Sequence, residues 1–461
     1  MKKLLLIVTL FSICLSGKGQ TWSALGSGIN GDVYTNSSFV YALDTLNGSL
    51  YAGGTFDTAG GVFVNNIAEW NGVSWNAVGG GVTSNLNGPH GVYILTTYKG
   101  NLYAGGQFDT AGIIPVHNIA KWDGANWASP GSGINWNGQI FAMTEYNGNL
   151  YAAGKFDSAG GISANNIAEW NGTNWLPVGA GMNFPVYALA VYNGNLYAGG
   201  IFTNSGGVTV NRIAEWNGVS WVSVGGGMSG IVNSLEAYNG NLYAGGTFFS
   251  AGGISVKNIA EWNGSNWTSV GSGINLNGEI WTLNGYAGNL YVGGTFDSAG
   301  SIRANNIAEW DGANWNSMDN GVIAGNGRGN GASGITYVNT ILGFNGSIYA
   351  GGAFDTAGTI AVNNIAKWGT VTGINELTQS NSIKVHPNPS TGIFTFQSSV
   401  NCAKSSVEVY NMLGKKVYNE ALRQAQGDNT INLSGQPAGI YLYRIVSEQG
   451  TAIASGKLVI E

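Results

Sequence analysis

Seven times along this chain the phrase Leu-Tyr-Ala-Gly-Gly-x-Phe, or a near variant, returns. Its tyrosine falls at Tyr51, Tyr103, Tyr151, Tyr197, Tyr243, Tyr291 and Tyr349. A second phrase, Ile-Ala-(Glu/Lys)-Trp, follows each copy with its tryptophan always nineteen residues after that tyrosine, from Trp70 to Trp368. A further tryptophan comes five residues later in the first six copies, from Trp75 to Trp315. Self-similarity at a period of 46 to 58 residues means that each copy is one supersecondary unit, able to bury its apolar face only against its neighbours.

The seventh copy lacks its last tryptophan, because Trp368 is followed by Gly369-Thr370-Val371. The missing piece stands at the other end of the chain. Residues 22–26, Trp-Ser-Ala-Leu-Gly, match residues 267–271 without the rest of a unit before them. A first strand that completes the last repeat describes a closed ring, which removes the edges an open stack would expose.

Each unit reads as four short antiparallel strands, in the fourth copy at 186–189, 196–200, 211–216 and 221–224. Asn193-Gly194 and Asn217-Gly218 are pairs suited to tight hairpin turns, whose central residues need positive φ. A two-residue turn at Asn193-Gly194 sets Tyr187 opposite Gly200 and Leu189 opposite Ala198. The same count sets Trp221 across from Ala214 and diagonal to Trp216. The expected fold is therefore all-β: a seven-bladed β-propeller over residues 21–369, closed by the N-terminal strand. After a polar linker at 370–382, seven short strands in 383–461 suggest a small β-sandwich.

Composition agrees. Glycine is frequent, at 76 of 461 residues, yet there is no G-X-Y period and only 8 Pro, which excludes collagen. An apolar fraction of 44% with 11% aromatics can fill a core, which excludes disorder. A net charge of -6 without a Lys/Arg cluster argues against nucleic acid as a partner.

Residues 1–19 have the layout of a signal peptide: Lys2 and Lys3, an apolar run over 4–15, then small residues. The run is too short to span a bilayer, and no later segment is apolar enough, so no transmembrane segment is expected in the mature chain. Ile13 before Cys14 is too large for a lipoprotein signal. Cleavage leaves Cys402 as the single cysteine, without an internal disulfide.

Length varies in one place only. From the fourth strand to the next first strand the spacing runs from 14 to 26 residues, while the spacings within a unit are constant. One rim is thus uniform and the opposite rim carries everything individual, the default place for a site. The variable connections bring His90, Trp136, Asn137 and, in residues 319–333, Arg328. Trp281 replaces a position usually held by Tyr or Phe. These five are the candidate ligand-binding residues, with loop drift and no ligand as the alternative. The repeated tryptophans are assigned to packing between units.

No catalytic motif is found and no catalytic residue is assigned. His90, His117 and His386 are the only histidines, and none has metal-ligand spacing, so no metal and no cofactor are expected. Glu69, Glu169, Glu215, Glu261 and Glu309 recur at one repeat position, which marks them as scaffold. Asp-(Thr/Ser)-Ala recurs at Asp57, Asp109, Asp157, Asp297 and Asp355. One acid per loop is a weak calcium signal, and the expected role is a hydrogen bond from the Asp side chain to the turn backbone.

Residues 385–392, Val-His-Pro-Asn-Pro-Ser-Thr-Gly, then 407–414, Val-Glu-Val-Tyr-Asn-Met-Leu-Gly, then 438–443 and the terminal Lys457-Leu458-Val459-Ile460 resemble the C-terminal sorting domain of the bacterial type IX secretion system. The resemblance covers about the last 80 residues. It implies passage across the outer membrane of a member of the Bacteroidetes, with the secretion machinery as partner and the domain removed afterwards. The repeats, with Asn-Asn-Ile-Ala-Glu-Trp-Asn-Gly, resemble more loosely those of kelch-like secreted bacterial proteins and of the fungal cortical marker of cell polarity. That likeness implies a fold and no catalytic residue. Asp-(Thr/Ser)-Ala is also similar to the O-glycosylation acceptor of this phylum, which would make Thr58, Thr110, Ser158, Ser298 and Thr356 modification sites.

The leading expectation is an exported binding or adhesion protein, released or held at the cell surface, that recognises carbohydrate or another surface polymer through the variable rim. A polysaccharide-active enzyme is the rival, and a structural envelope component is the third. Two rim carboxylates beside a His or Arg would favour the enzyme. An aromatic platform ringed by Asn would favour binding.

Overall fold

Gly-Gly in the second strand of six of the seven units, with Ala153-Gly154 in the third, decides how closely consecutive sheets approach. A Cβ built on Gly53 would lie 2.5 Å from Cγ1 of Val92 in the next unit, so at Gly53 the neighbouring sheet leaves no room for a side chain. The computed structural model describes residues 20–31, 38–84, 90–275, 277–324, 336–370, 383–398, 405–411, 415–421, 427–446 and 452–461. It is all-β, and the chain divides into two compact units, Met1–Thr370 and Val371–Glu461.

In the first compact unit the repeats form seven four-stranded antiparallel sheets. The fourth is made of Val186–Tyr192, Asn195–Gly200, Ile213–Trp216 and Trp221–Ser223 in that order. The seventh takes its fourth strand from the other end of the chain. Gln20–Ala24 pairs with Ile365–Thr370, with Trp22 opposite Trp368 and Gln20 opposite Thr370. Pairing thus includes Thr370, the first residue of the expected linker. Residues 371–382, and the candidate signal peptide at 1–19, lie outside the described residues.

Seven apolar clusters sit between consecutive sheets. One joins Tyr51 and Ile67 of the first sheet to Val92 and Trp122 of the second. Another joins Tyr349 and Ile365 of the seventh sheet to Leu43 and Trp75 of the first. The succession of shared cores therefore returns to its start. Small residues make this possible: Ala52, Ala68, Ala198 and Ala214 are fully buried between the bulky rings.

The first turn of each unit has the expected form. Asn193 and Gly194 have φ of 48° and 78°, and Lys99-Gly100 and Ala287-Gly288 adopt the same signs. The second turn does not. At Asn217-Gly218 only the glycine has positive φ, and Trp216 pairs directly with Trp221. Four residues make that turn, held by the Asn217 carboxamide oxygen, which accepts from the amides of Val219 and Ser220 at 3.0 and 2.9 Å. The extra residues move Trp221 from the expected place opposite Ala214, where Ser223 stands instead.

A motif asparagine ties each unit to the incoming connection. Asn66 accepts from the Phe56 amide at 3.1 Å and donates to the Val82 carbonyl at 2.9 Å. Asn364 repeats this across the closure, donating to Ile29 at 2.8 Å. In the fourth unit Arg212 takes the place and donates to the Met228 carbonyl.

In the second compact unit seven strands are present, as expected. Three form one sheet and four another. Phe394, Phe396 and Ile431 of the first share an apolar core with Val409, Tyr443 and Leu458 of the second. No helix among the described residues is long and apolar enough to cross a membrane.

Candidate functional site

The innermost strand of every sheet contains one residue that the ladder skips. In the fourth sheet Val186 pairs with Gly200 and Ala188 with Gly199, so Tyr187 is a bulge rather than the partner of Gly200, while Leu189 does face Ala198. An extra residue bends the strand and re-aims its side chain. The bulge recurs at Tyr41, Tyr93 and Phe141 in the first three sheets. In the last three it falls at Asn233, Trp281 and Asn339. All seven side chains line one cavity of about 720 Å³, at the end of the inner strands where the variable connections arrive.

The cavity has two unlike halves. Tyr41, Tyr93, Phe141 and Tyr187 make a continuous aromatic arc, with neighbouring ring centroids 5.6, 5.9 and 5.4 Å apart. Behind it the wall is apolar, with Ala42, Ile94, Ala142 and Ala188. Burial pushes the Tyr93 hydroxyl up to about 12, with Tyr41 beside it adding to the effect. Burial also raises Tyr41, against a hydrogen bond with Thr55. Both phenols stay neutral across the physiological range.

Across the cavity the fifth to seventh sheets supply Asn233, Ser234, Glu279, Thr282, Asn339 and Thr340, with Trp281 among them. Glu279 is held in place by its neighbours: Oε1 accepts from Asn233 Nδ2 and from Thr247 Oγ1, each at 3.1 Å. Asn233 also donates to the Ile280 carbonyl at 2.9 Å. The Asn339 carboxamide nitrogen is buried and has no partner among the described residues. Trp281 keeps 36% of its surface exposed.

Of the expected site residues, this geometry gathers Trp281 alone. Trp136 is half exposed and rests edge-on against His117, with centroids 5.2 Å apart and planes at 71°. Asn137 beside it is exposed, and His90 is half-buried before the strand Gly91–Tyr98. Neither lines the cavity, nor does Trp136. Arg328 lies outside the described residues.

The Asp-(Thr/Ser)-Ala sites form short hairpins. Four of their carboxylates accept from the next hydroxyl: Thr110 on Asp109 at 2.8 Å, Ser158 on Asp157 at 3.0 Å, Ser298 on Asp297 at 3.1 Å and Thr356 on Asp355 at 2.9 Å. Thr58 donates to the Asn30 carbonyl instead. The turn is closed by the Asp carbonyl, as in Val64 N to Asp57 O at 2.8 Å. The repeated glutamates receive side-chain amides, as from Asn149 to Glu169 at 2.6 Å and Asn195 to Glu215 at 2.7 Å. No group of three or more His, Cys, Asp or Glu among the described residues is placed to hold a metal ion.

The described residues form an all-β fold of small antiparallel sheets, and it is the last residues of the chain that say where such a protein goes. Residues 384–461 match the secretion system C-terminal sorting domain. The chain thus carries the type IX sorting domain, which implies export by that machinery and attachment at the cell surface. No curated protein matches the chain. Among solved structures it is similar to PorZ, an essential bacterial surface component of the type-IX secretion system of Porphyromonas gingivalis, at 13% identity and a TM-score of 0.41. That match covers 93% of this chain and 60% of PorZ, so the chain spans under two thirds of that protein's length. It is also similar to the extracellular domain of a hybrid two-component system of B. thetaiotaomicron, at 11% identity and a TM-score of 0.29, covering 91% of this chain and 68% of that one.

Proposed function

We propose that residues 20–370 form a seven-bladed β-propeller of kelch-like repeats, and that the exported protein binds carbohydrate in the cavity at its centre. The observation that carries this reading is the division of the cavity. Sugar rings have an apolar C–H face and an edge of hydroxyls. The aromatic arc from Tyr41 to Tyr187 suits the first, and Asn233, Glu279 and Asn339 suit the second. Seven near-identical repeats would give a symmetric wall, so the asymmetry is a departure from the scaffold that packing does not require.

Binding is favoured over hydrolysis by the charge inventory. Glycoside hydrolysis normally takes two carboxylates, and among the described lining residues Glu279 is the only carboxylate. Display at the surface by the sorting domain suits a protein that must meet an external polymer. A pull-down of the purified full-length protein on insoluble polysaccharides, with isotherms on soluble oligosaccharides, tests the reading. Specific binding that Trp281→Ala weakens is expected. Failure of every glycan class to bind would overturn it.

A further inference from the structure

Glu279 stands at a position where the other units carry Phe39, Gly91, Gln139, Pro185, Ile231 and Tyr337. An acid occurs there once in seven copies, and it is the copy that also has Trp281 at the bulge. Among the described residues that line the cavity there is no Lys, Arg or Asp, so Glu279 contributes its sole formal charge.

The carboxylate is built into the wall. Two donors, Asn233 Nδ2 and Thr247 Oγ1, converge on Oε1. They fix the group without neutralising it, since both are uncharged. The facing tyrosines Tyr41 and Tyr93 are held neutral by burial, so the aromatic arc brings no counter-charge to the cavity. A cation is attracted by the carboxylate and an anion is opposed by it.

We propose that Glu279 sets the charge class of the ligand: the cavity takes neutral and, preferentially, amine-bearing sugars, and excludes uronate or sulfated ones. This rests on the carbohydrate reading above. In it, Glu279 accepts from ligand hydroxyl or ammonium groups. A ligand carboxylate on the same wall would meet Glu279 at short range in a partly desolvated site, where like charges repel strongly.

Three oligosaccharides matched in length and linkage, one of glucosamine, one of glucose and one of glucuronate, give the test. Isotherms are measured with the full-length protein at two ionic strengths. The expected order is amine, neutral, uronate, with the ends separated by about tenfold or more at low salt and less at high salt. Glu279→Gln keeps the size and the acceptor for Asn233, and should bring the three affinities together by removing the charge that separates them. Glu279→Ala, with a melt to confirm folding, gives the same convergence if charge is the cause. Glucuronate binding as tight as glucosamine, or a charge order unchanged in both variants, overturns the proposal and leaves the carbohydrate reading standing. No binding by any of the three, with none in the wider polysaccharide panel, overturns both.

Discussion

The indole nitrogen of Trp22 donates to the backbone carbonyl of Met318, 296 residues further along the chain, at 2.9 Å. Trp75 does the same to Leu25, and Trp175 to Pro130. Trp22 thus occupies in the seventh sheet the place that these residues hold in theirs, with its ring 5.2 Å from that of Trp368.

Trp22 is 2% exposed, and its removal opens a cavity where the two ends of the repeat array meet. Trp22→Ala should cost about 3–5 kcal/mol. Deletion of residues 21–28 should cost more, because Ile365–Thr370 then becomes an open edge. Urea unfolding of the full-length protein measures both. A midpoint unchanged in either variant would show that the closure contributes nothing to stability.

A second prediction concerns pH. Glu236 lies in the seam between the fifth and sixth inner strands, where its Oε1 accepts from the Gly285 amide at 2.9 Å. Burial pushes its carboxyl up to about 7 from an ordinary 4.5, with the Gly285 bond a smaller opposing effect. Between these values the folded protein holds a proton that the unfolded chain has lost. Stability from this group is therefore full below about pH 4.5 and is lost as pH rises through about 7. The change is at most about 3 kcal/mol. Glu236→Gln should flatten that part of the stability curve, seen as a smaller fall in urea midpoint between pH 5 and 8. An identical fall in the variant would place the titration elsewhere.

Most of the fold was legible because the repeat fixes it redundantly. Seven copies of two phrases at constant spacing leave one way to divide the chain, and the orphan strand at Trp22 points to its partner. Register was less legible for a physical reason. A bulge adds a residue without a residue-type signature, so Tyr187 reads as a paired position until the ladder is seen to skip it. The turn at Asn217 likewise resembles a two-residue hairpin in sequence, although its side chain organises four residues. These misplaced residues hid the site. Tyr41, Tyr93, Phe141 and Tyr187 pass for alternating core, and only alignment of all seven copies at the bulge brings out Asn233, Trp281 and Asn339 as departures. Trp281 was found by that comparison, made at one position alone.

A third prediction follows from the sorting domain at residues 384–461. Removal of residues 383–461 should abolish appearance at the cell surface while the remainder accumulates inside the outer membrane, as read by surface protease accessibility and fractionation. The exported wild type should end near residues 370–385, which intact-mass measurement would establish. Surface display of the truncated chain would defeat the sorting role, and recovery of a mature form ending at Glu461 would defeat the processing.

The last prediction sets two tryptophans against each other. Trp281 lines the cavity and retains exposed surface, whereas Trp136 covers His117 on a connection outside it. An aromatic side chain that stacks on a sugar face and is already held by its strand loses little entropy on binding, so its truncation removes most of the contact. Trp281→Ala should weaken binding by about 1–3 kcal/mol, with a small change in stability because the ring is partly exposed. Trp136→Ala should leave affinity within about twofold and cost only the His117 contact. A binding isotherm and a thermal melt for each variant separate the two effects. Loss of affinity in Trp136→Ala with none in Trp281→Ala would move the site out of the cavity and onto the connections. Loss in both, with melts unchanged, would describe one extended polymer running from the cavity mouth across that rim, since a chain engaging both tryptophans would feel each removal separately.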